Sequence, residues 1–251
     1  MQPRPGQENG VAFKGTGENL SSVRLLASLS EADREDFAGK IGWSSVASGD
    51  TVIAHLATEA QVYFVISGAL KVSVSTPAGK EVVIRNIGAG DHFGEIAALA
   101  GFPRSVAVIA ETDAVLGVCS QAEFSELLKR HPLCAISVSV SLAQLVVDLT
   151  DRFYELAALD TRLRVCAELV RLSRRGEKTD DGLLIEEAPT HAMMAAAIGS
   201  RREAVTREIG DLEEEGVVKR LARRRLLIPN IERLRSELVG RSGQLVTYIS
   251  S

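Results

Sequence analysis

The sequence predicts an α+β protein in three successive parts: an N-terminal β-roll (jelly roll), a long helix and a C-terminal winged helix-turn-helix. Three observations predict this order. Short β-branched and aromatic runs alternate with turn residues from about Trp43 to Ser120. An apolar pattern with steps of three and four follows from Pro132. A helix, a glycine turn, a second helix and a basic hairpin then occupy the region after Thr190.

Composition excludes several classes of protein. The 251 residues, 45% of them hydrophobic, suffice for one large or two ordinary domains, and the net charge of −4 does not itself indicate nucleic acid. Cys119, Cys134 and Cys166 lie far apart, without metal-ligand or disulfide spacing, which favours the reducing cytoplasm. No apolar run is expected to reach the ~18 residues of a membrane helix. The N-terminal segment lacks the apolar core of a signal peptide, so we expect a cytoplasmic protein without membrane contact.

The β region follows a short amphipathic segment, SEADREDFAGK. Its expected strands are TVIAHL, VYFVI, LKVSVS, EVVIRNI and AVLGVC. Within LKVSVS, strict alternation predicts that Val72 and Val74 face one way and that Ser73 and Ser75 face the other. Turn residues separate the runs, as in a sandwich or jelly-roll barrel.

The helical region carries an apolar seam that favours a dimer. The seam consists of Val138, Leu142, Leu145, Leu149, Phe153, Leu156, Leu159 and Leu163. A globular helix seldom continues so far without caps, so we expect a coiled-coil homodimer. The alternative is a helix that packs on its own domain.

The third region has the pattern of a helix-turn-helix with a wing. Thr190 is expected to cap the first helix, and Gly199 to end it. Ser200 and Glu203 form a capping-box pattern for a second helix, which ends near Gly216. The buried face of that helix should comprise Val205, Ile209 and Leu212. The segment VVKRLARRRLLI predicts a β-wing with a basic tip formed by Arg220, Arg223, Arg224 and Arg225.

The second helix presents polar residues suited to DNA. In a recognition helix the N-terminal residues reach base edges, where arginine pairs with guanine and a carboxylate accepts from cytosine. The alternative is a solvated, salt-bridged face in which Glu203 only closes the capping box. We predict contacts with double-stranded DNA by Arg201, Arg202, Glu203, Thr206, Arg207 and Arg224.

Three motifs, in order, resemble those of one family. FGEIAALAGFPRS resembles the phosphate-binding cassette of the cyclic-AMP receptor protein / fumarate-nitrate regulator (Crp/Fnr) family of bacterial transcription factors. ALDTRLRV resembles the junction where the family's dimer helix ends, and IGSRREAVTREIGDLEEEGVV resembles its recognition helix. The resemblance covers roughly residues 22–235. It implies a ligand-responsive homodimer that binds palindromic promoter DNA, with RNA polymerase as a further partner.

The resemblance also implies a cyclic nucleotide effector. Arg104 supplies a forked donor for phosphate, and Ser105 adds a hydroxyl. Backbone N–H groups from Gly94 onward, through Ile96 and Ala97, would face the anion, and Glu95 would accept from the ribose hydroxyl. The alternative is a structural Glu95–Arg104 pair without any ligand.

The residues that would face the base leave the nucleotide open. Thr150 falls where the family places a hydroxyl near the adenine amino group, and Leu149 falls where the best-known member has threonine. Val106 stands where alanine is common. Cyclic AMP is expected first and cyclic GMP second, with cyclic di-GMP or no nucleotide as further alternatives. Haem held by His55 or His92 is a minor alternative.

The same reasoning predicts the domain order and the classes of site to expect. The expected segments are an N-terminal tail at 1–21, the β-roll at 22–131, the dimerisation helix at 132–172, the winged helix-turn-helix at 173–240 and a tail at 241–251. No catalytic arrangement and no metal or iron–sulfur cluster is expected, so the chain is not predicted to be an enzyme. A cyclic-nucleotide-dependent protein regulator without DNA binding is the contrasting class, and the helix-turn-helix argues against it.

Overall fold

The computed structural model describes residues 15–75, 81–174, 176–222 and 224–242. The chain divides into two compact units, Met1–Leu142 and Ala143–Ser251. Arg223 of the predicted wing tip, most of the predicted N-terminal tail and nearly all of the C-terminal tail lie outside the described residues.

The N-terminal tail ends earlier than predicted. A short 3₁₀ helix covers Asn19–Ser22, and its Leu20 is fully buried in the core of the first unit. The backbone N–H of Gly17 donates to the Glu35 carboxylate at 2.7 Å. The boundary at residue 21 is therefore wrong, because apolar burial of Leu20 fixes this segment to the domain.

Within the part of the chain that the structure describes, the first unit contains eight strands, which confirm the predicted β-roll. In chain order they are β1 Gly42–Val46, β2 Thr51–Ile53, β3 Val62–Ser67, β4 Ala69–Ser75, β5 Glu81–Gly88, β6 His92–Phe93, β7 Ala107–Ala110 and β8 Ala114–Cys119. They form two antiparallel sheets, ordered β1-β8-β3-β6 and β2-β7-β4-β5. Apolar side chains such as Val65, Leu70 and Leu116 fill a core cluster of the roll.

Strand β4 departs from the predicted alternation. The register with β5 shifts between Val72 and Ser73, which is a β-bulge. Ser73 is consequently buried, whereas Val74 is only half-buried. The Ser73 hydroxyl donates to the Glu81 carboxylate at 2.8 Å, so the buried polar group is satisfied.

Three described α-helices accompany the strands of the roll: one precedes β1, one lies between β6 and β7, and one follows β8. They are α1 Glu31–Ala38, α2 Glu95–Ala100 and α3 Gln121–Arg130. Ser30 caps α1 through the backbone N–H of Asp33, and Ser120 with Glu123 forms a complete capping box for α3. Phe37 and Phe124 from these helices are buried in a second core cluster.

The long helix is shorter than predicted. Helix α4 covers Pro132–Ala158, and a separate helix α5 covers Thr161–Ser173. Asp160 breaks the run because its side chain accepts from the backbone N–H of Leu163 and caps α5. The single dimerisation helix predicted over 132–172 is therefore wrong in its second half.

Helix α4 is long and apolar enough, by length and composition alone, to span a membrane. The expectation that no apolar run reaches that length was wrong. Serines interrupt the apolar run in the sequence, but Ser137, Ser139 and Ser141 each donate to the carbonyl four residues earlier. Their hydroxyls are thus satisfied within the helix, which leaves it largely apolar.

The second unit contains the predicted helix-turn-helix and wing. Its elements after α5 are β9 Glu177–Thr179, β10 Gly182–Ile185, α6 His191–Ala197, α7 Arg202–Glu214, β11 Lys219–Ala222, β12 Arg225–Ile228 and α8 Ile231–Ser242. The wing strands belong to one sheet, ordered β11-β12-β10-β9. Val205, Ile209 and Leu212 are buried as predicted, and they pack in one core with residues of α5 and α8.

The turn between α6 and α7 confirms one cap and corrects another. Thr190 caps α6 by accepting from the backbone N–H of Met193, and Gly199 adopts a positive φ of 62°. Arg201, not Ser200, is the N-cap of α7, and no side chain caps that helix. The predicted capping box is therefore absent, because the turn places Ser200 one residue too early and its backbone N–H donates to Ala195.

Candidate ligand and DNA-binding sites

Two buried charges lie at the start of α2 in the first unit. Glu95 is 4% exposed and Arg104 is 5% exposed. The Arg104 guanidinium donates to two backbone carbonyls, Gly94 at 3.0 Å and Gln61 at 2.5 Å. These bonds hold the guanidinium between Gln61, which directly precedes β3, and Gly94, the N-cap of α2.

Neither charge is fully satisfied. Arg104 Nε and Glu95 Oε2 are buried without a hydrogen-bond partner, and among the described residues neither side chain forms a salt bridge. The alternative of a simple Glu95–Arg104 structural pair is thus not what the structure contains. An orphaned donor and an orphaned acceptor, both buried, are costly unless a ligand completes them.

Burial and the neighbouring charges have opposing effects on the pKa values of Glu95 and Arg104. Burial raises the pKa of the Glu95 carboxyl, while its own backbone N–H and the cations Arg85 and Arg104 oppose that rise. Burial lowers the pKa of the Arg104 guanidinium, and the nearby Tyr63, Glu59 and Glu95 oppose that fall. An anion beside Arg104 would stabilise its charged form further.

Backbone contacts hold Arg104 in place as well. Its N–H donates to the Ala57 carbonyl at 2.9 Å, and its carbonyl accepts from Leu56 at 2.8 Å. Leu56 has a positive φ of 65°, which is uncommon for a residue with a side chain. A strained loop residue beside a buried arginine is typical of a functional site.

Gly94 is required at the beginning of α2. It has a φ of 93°, and a Cβ there would lie 2.5 Å from the Gln61 carbonyl oxygen and 2.9 Å from Arg104 Nη1. Both the backbone conformation and the close approach therefore exclude a side chain.

We expect Gly94→Ala to lower the free energy of unfolding by about 1–3 kcal/mol, because it adds backbone strain and displaces Arg104. Gly101→Ala is the matched control, since Gly101 also has a positive φ of 71° but nothing lies within 4 Å of its added Cβ. Denaturant unfolding of both variants should show the larger loss for Gly94→Ala. Equal losses would mean that the approach of Arg104 is unimportant.

The other predicted ligand residues of this unit lie around the same loop. Ile96 and Ser105 are exposed, Ala97 is buried, and Val106 is half-buried. Two residues that the sequence analysis missed are Arg85 of β5, whose charge acts on Glu95, and Tyr63 of β3, which stacks on Phe93 at 4.9 Å. A cation within the apolar strand EVVIRNI was the signal for Arg85.

Helix α4 presents an apolar face to its surroundings. Val146, Leu149, Phe153 and Leu156, at steps of three and four, are exposed, and we call them the α4 apolar face. Leu149, Phe153 and Leu156 belong to the predicted seam, whereas Val146 does not. Three other residues of that seam are buried within their own units. Val138 is buried in the first unit, whereas Leu159 and Leu163 are buried in the second.

Leu149 and Thr150, predicted to face the base, lie on α4 in the second unit. Both are exposed, and the Thr150 hydroxyl donates to the Val146 carbonyl at 2.8 Å. Their role toward a nucleotide remains a prediction.

Five predicted DNA contacts lie together at the start of α7. They are Arg201, Arg202, Glu203, Thr206 and Arg207, and all are exposed. Arg207 Nη2 donates to Glu208 at 2.9 Å, which leaves its other N–H groups available. The Thr206 hydroxyl donates to the Arg202 carbonyl at 2.9 Å.

The wing carries further exposed arginines. Arg224 is exposed, and its Nε donates to the Ala188 carbonyl at 3.3 Å. Arg225 pairs with Glu186 and Arg220 pairs with Glu213, so part of the basic charge is already compensated. Of these three arginines, Arg224 is the one that forms no salt bridge among the described residues.

Comparisons with known proteins match both regions. A family model for the cyclic nucleotide-binding domain matches residues 43–131, and one for the Crp-like helix-turn-helix domain matches residues 163–237. The cyclic AMP receptor protein of Thermus thermophilus is 30% identical over 158 residues, which are 63% of this chain and 70% of that protein.

Solved structures share the fold. A transcriptional regulator of the CRP/FNR family from Thermus thermophilus is 26% identical with a TM-score of 0.62, over 80% of this chain and 100% of that one. The c-di-GMP responsive global regulator CLP from Xanthomonas campestris is 20% identical with a TM-score of 0.68, over 80% of this chain and 100% of that one. The two domain matches, in this order and on this fold, show that the chain belongs to the Crp/Fnr family of ligand-binding, DNA-binding transcription regulators.

Proposed function

We propose that this regulator binds a cyclic nucleotide, with cyclic AMP as the first candidate, at Glu95 and Arg104. The observation that supports this most is the pair of buried, unsatisfied atoms, Arg104 Nε and Glu95 Oε2. A cyclic nucleotide offers one phosphate anion and a free ribose hydroxyl, which are the acceptor and the donor that these two atoms lack.

We propose the remaining ligand contacts from the resemblance to the family's phosphate-binding cassette and dimer helix. Ser105 adds a hydroxyl beside the phosphate, and the backbone N–H groups from Gly94 through Glu95, Ile96 and Ala97 add donors to the same anion. We propose that Leu149 and Thr150 of α4 contact the base. Because leucine replaces a family threonine there, cyclic GMP and cyclic di-GMP remain the competing ligands.

Calorimetric titration of the purified protein with cyclic AMP, cyclic GMP and cyclic di-GMP tests the proposal. We expect saturable binding of cyclic AMP that exceeds binding of the other two. Tighter binding of cyclic GMP or cyclic di-GMP would reassign the base pocket, and heat from none of the three would show a member without a nucleotide effector.

We propose that the α4 apolar face covers the same face of a second copy. Exposed apolar residues at heptad spacing are what a two-stranded coiled coil buries. A lipid bilayer would instead need an apolar surface all round the helix, and Gln144 and Asp148 lie exposed on the other side. A homodimer in the cytoplasm, with RNA polymerase as a further partner, completes the proposal.

We propose that α7 reads DNA bases in the major groove. In a dimer, two such helices would meet half-sites about 34 Å apart. Arg202 and Arg207 would face guanines, and Glu203 would accept from a cytosine, in a half-site similar to the family's TGTGA element. A gel-shift with genomic fragments separates this function from a protein regulator that does not bind DNA.

We expect Arg207→Ala to weaken the preference for one base of the half-site. The variant should lose about 1–3 kcal/mol of discrimination between that base and the others. Arg224→Ala is the matched control on the wing. It should weaken binding to all DNA sequences alike and reduce the salt dependence of the affinity by about one counterion. Binding-site selection on randomised duplexes distinguishes the two. A uniform loss for Arg207→Ala with an unchanged motif would assign that arginine to the phosphates.

A further inference from the structure

His191 begins α6 and contacts the recognition helix. Its Nδ1 lies 2.9 Å from the Thr206 hydroxyl oxygen. Thr206 is exposed on the first two turns of α7, beside Arg202 and Arg207. The ring therefore lies next to the surface that the proposed function places on DNA, although the sequence analysis gave His191 no role.

The hydrogen bonds of Thr206 determine which ring nitrogen carries the proton. The Thr206 hydroxyl has one proton, and its oxygen also lies 2.9 Å from the Arg202 carbonyl, which can only accept. The hydroxyl therefore donates to Arg202 and accepts from the Nδ1–H of His191. In the neutral ring Nε2 is then an acceptor, and protonation turns it into a donor.

The charges around the ring are mainly positive. Burial is the largest cause that lowers the pKa of His191, followed by Arg220 of β11 and Arg202 of α7. Glu213 of α7 opposes them, but it is paired with Arg220 at 3.1 Å. A phosphate group that approached these cations would remove their repulsion and stabilise the imidazolium.

We propose that His191, at the start of α6 and held by Thr206 of the recognition helix, is a proton-linked contact to a DNA phosphate. On DNA binding, Nε2 takes up one proton from solvent and donates it in a hydrogen bond to a phosphate oxygen, while Nδ1–H stays on Thr206. The inference rests on the DNA binding proposed above. The one O–H proton of Thr206 is donated to the Arg202 carbonyl in this arrangement, so Thr206 has no donor left for a base, and its methyl group remains for contact with a thymine.

The affinity for DNA should depend on pH, because the pKa of His191 changes when DNA binds. Burial and the nearby arginines lower the pKa of His191 from its ordinary value in the free protein, and the proposed phosphate contact would raise it in the complex. The extra affinity is therefore fully present below the free pKa, and it is lost as the pH rises through the pKa of the complex. At pH values between the pKa of the free protein and that of the complex, the affinity for DNA falls by at most about tenfold per pH unit for each protomer.

The test compares wild type with His191→Asn at constant salt, from about pH 5.5 to about pH 8.5. Asparagine keeps a donor for Thr206 but lacks the second ring nitrogen. The probe is a duplex with two inverted TGTGA half-sites in saturating cyclic AMP, and fluorescence anisotropy gives its affinity. His131→Gln, in the first unit, is the matched histidine control, and proton NMR of the His191 ring with and without DNA is the second measurement.

We expect wild type and His131→Gln to lose affinity as the pH rises, whereas His191→Asn loses less and meets wild type at high pH. The ring of His191 should titrate at a higher pH in the complex. Identical pH profiles for wild type and His191→Asn, or an unmoved ring titration in wild type, would overturn the inference and leave the DNA-binding proposal standing. Absence of binding by wild type at every pH would overturn both. If His191→Asn does not fold, the ring titration in wild type decides.

Discussion

Replacing Arg104 with alanine is expected to reduce cyclic AMP affinity at least about tenfold, because each charge-assisted hydrogen bond lost contributes about 1.5–3 kcal/mol. The substitution removes the buried Nε donor and one of the two cations, Arg85 and Arg104, whose charge acts on Glu95. The fold should survive, since Arg104 forms no salt bridge among the described residues and its backbone bonds to Leu56 and Ala57 do not need the side chain.

Two variants sharpen this result. Arg104→Lys keeps the charge but loses the fork that reaches both Gly94 and Gln61, so its affinity should fall between wild type and Arg104→Ala. Arg130→Ala removes an exposed arginine of α3 and should leave affinity unchanged. Calorimetry measures each Kd, and thermal unfolding checks the fold. Wild-type affinity in folded Arg104→Ala would place the phosphate elsewhere.

Phe153→Asp is expected to convert the dimer into a monomer. Phe153 is 73% exposed within the chain, so the substitution should not disturb the second unit itself. In the proposed dimer the same position is packed, and placing a charge there would destabilise association by about 2–5 kcal/mol. Sedimentation at matched concentrations measures the change.

The control for the dimer is Gln144→Glu, which adds a negative charge on the other side of α4. That variant should remain dimeric, because Gln144 is exposed and lies away from the α4 apolar face. If Phe153→Asp remains as tight a dimer as wild type, the interface lies on another surface. The next candidates on α4 are its other exposed apolar residues, Leu133, Ile136 and Val140.

Local periodicity predicted the recognition helix well. Val205, Ile209 and Leu212 are buried because a helical repeat places them on one side, and this depends on neighbouring residues alone. The same periodicity predicted a dimer seam that includes residues buried within a single chain. Val138 and Leu163 fit the repeat, but tertiary packing buries them within their own units.

Long-range contacts were beyond the sequence. The buried Arg104 could be identified as unusual, but its bond to Gln61 joins residues 43 apart in the chain. The bulge at Ser73 and the failure of Ser200 to cap α7 arise from one-residue shifts that no pattern of residue types specifies. The contact of His191 with Thr206 likewise depends on how α6 crosses α7.

We propose that a cyclic nucleotide bound in the first unit controls DNA binding by the second. Fluorescence anisotropy with a duplex that carries two inverted TGTGA half-sites, with and without saturating cyclic AMP, tests it most directly. A two-state coupling of about 1–3 kcal/mol predicts at least about a fivefold gain in DNA affinity for wild type, and no gain for Arg104→Ala. Equal DNA affinity of wild type with and without cyclic AMP, cyclic GMP and cyclic di-GMP would contradict the claim.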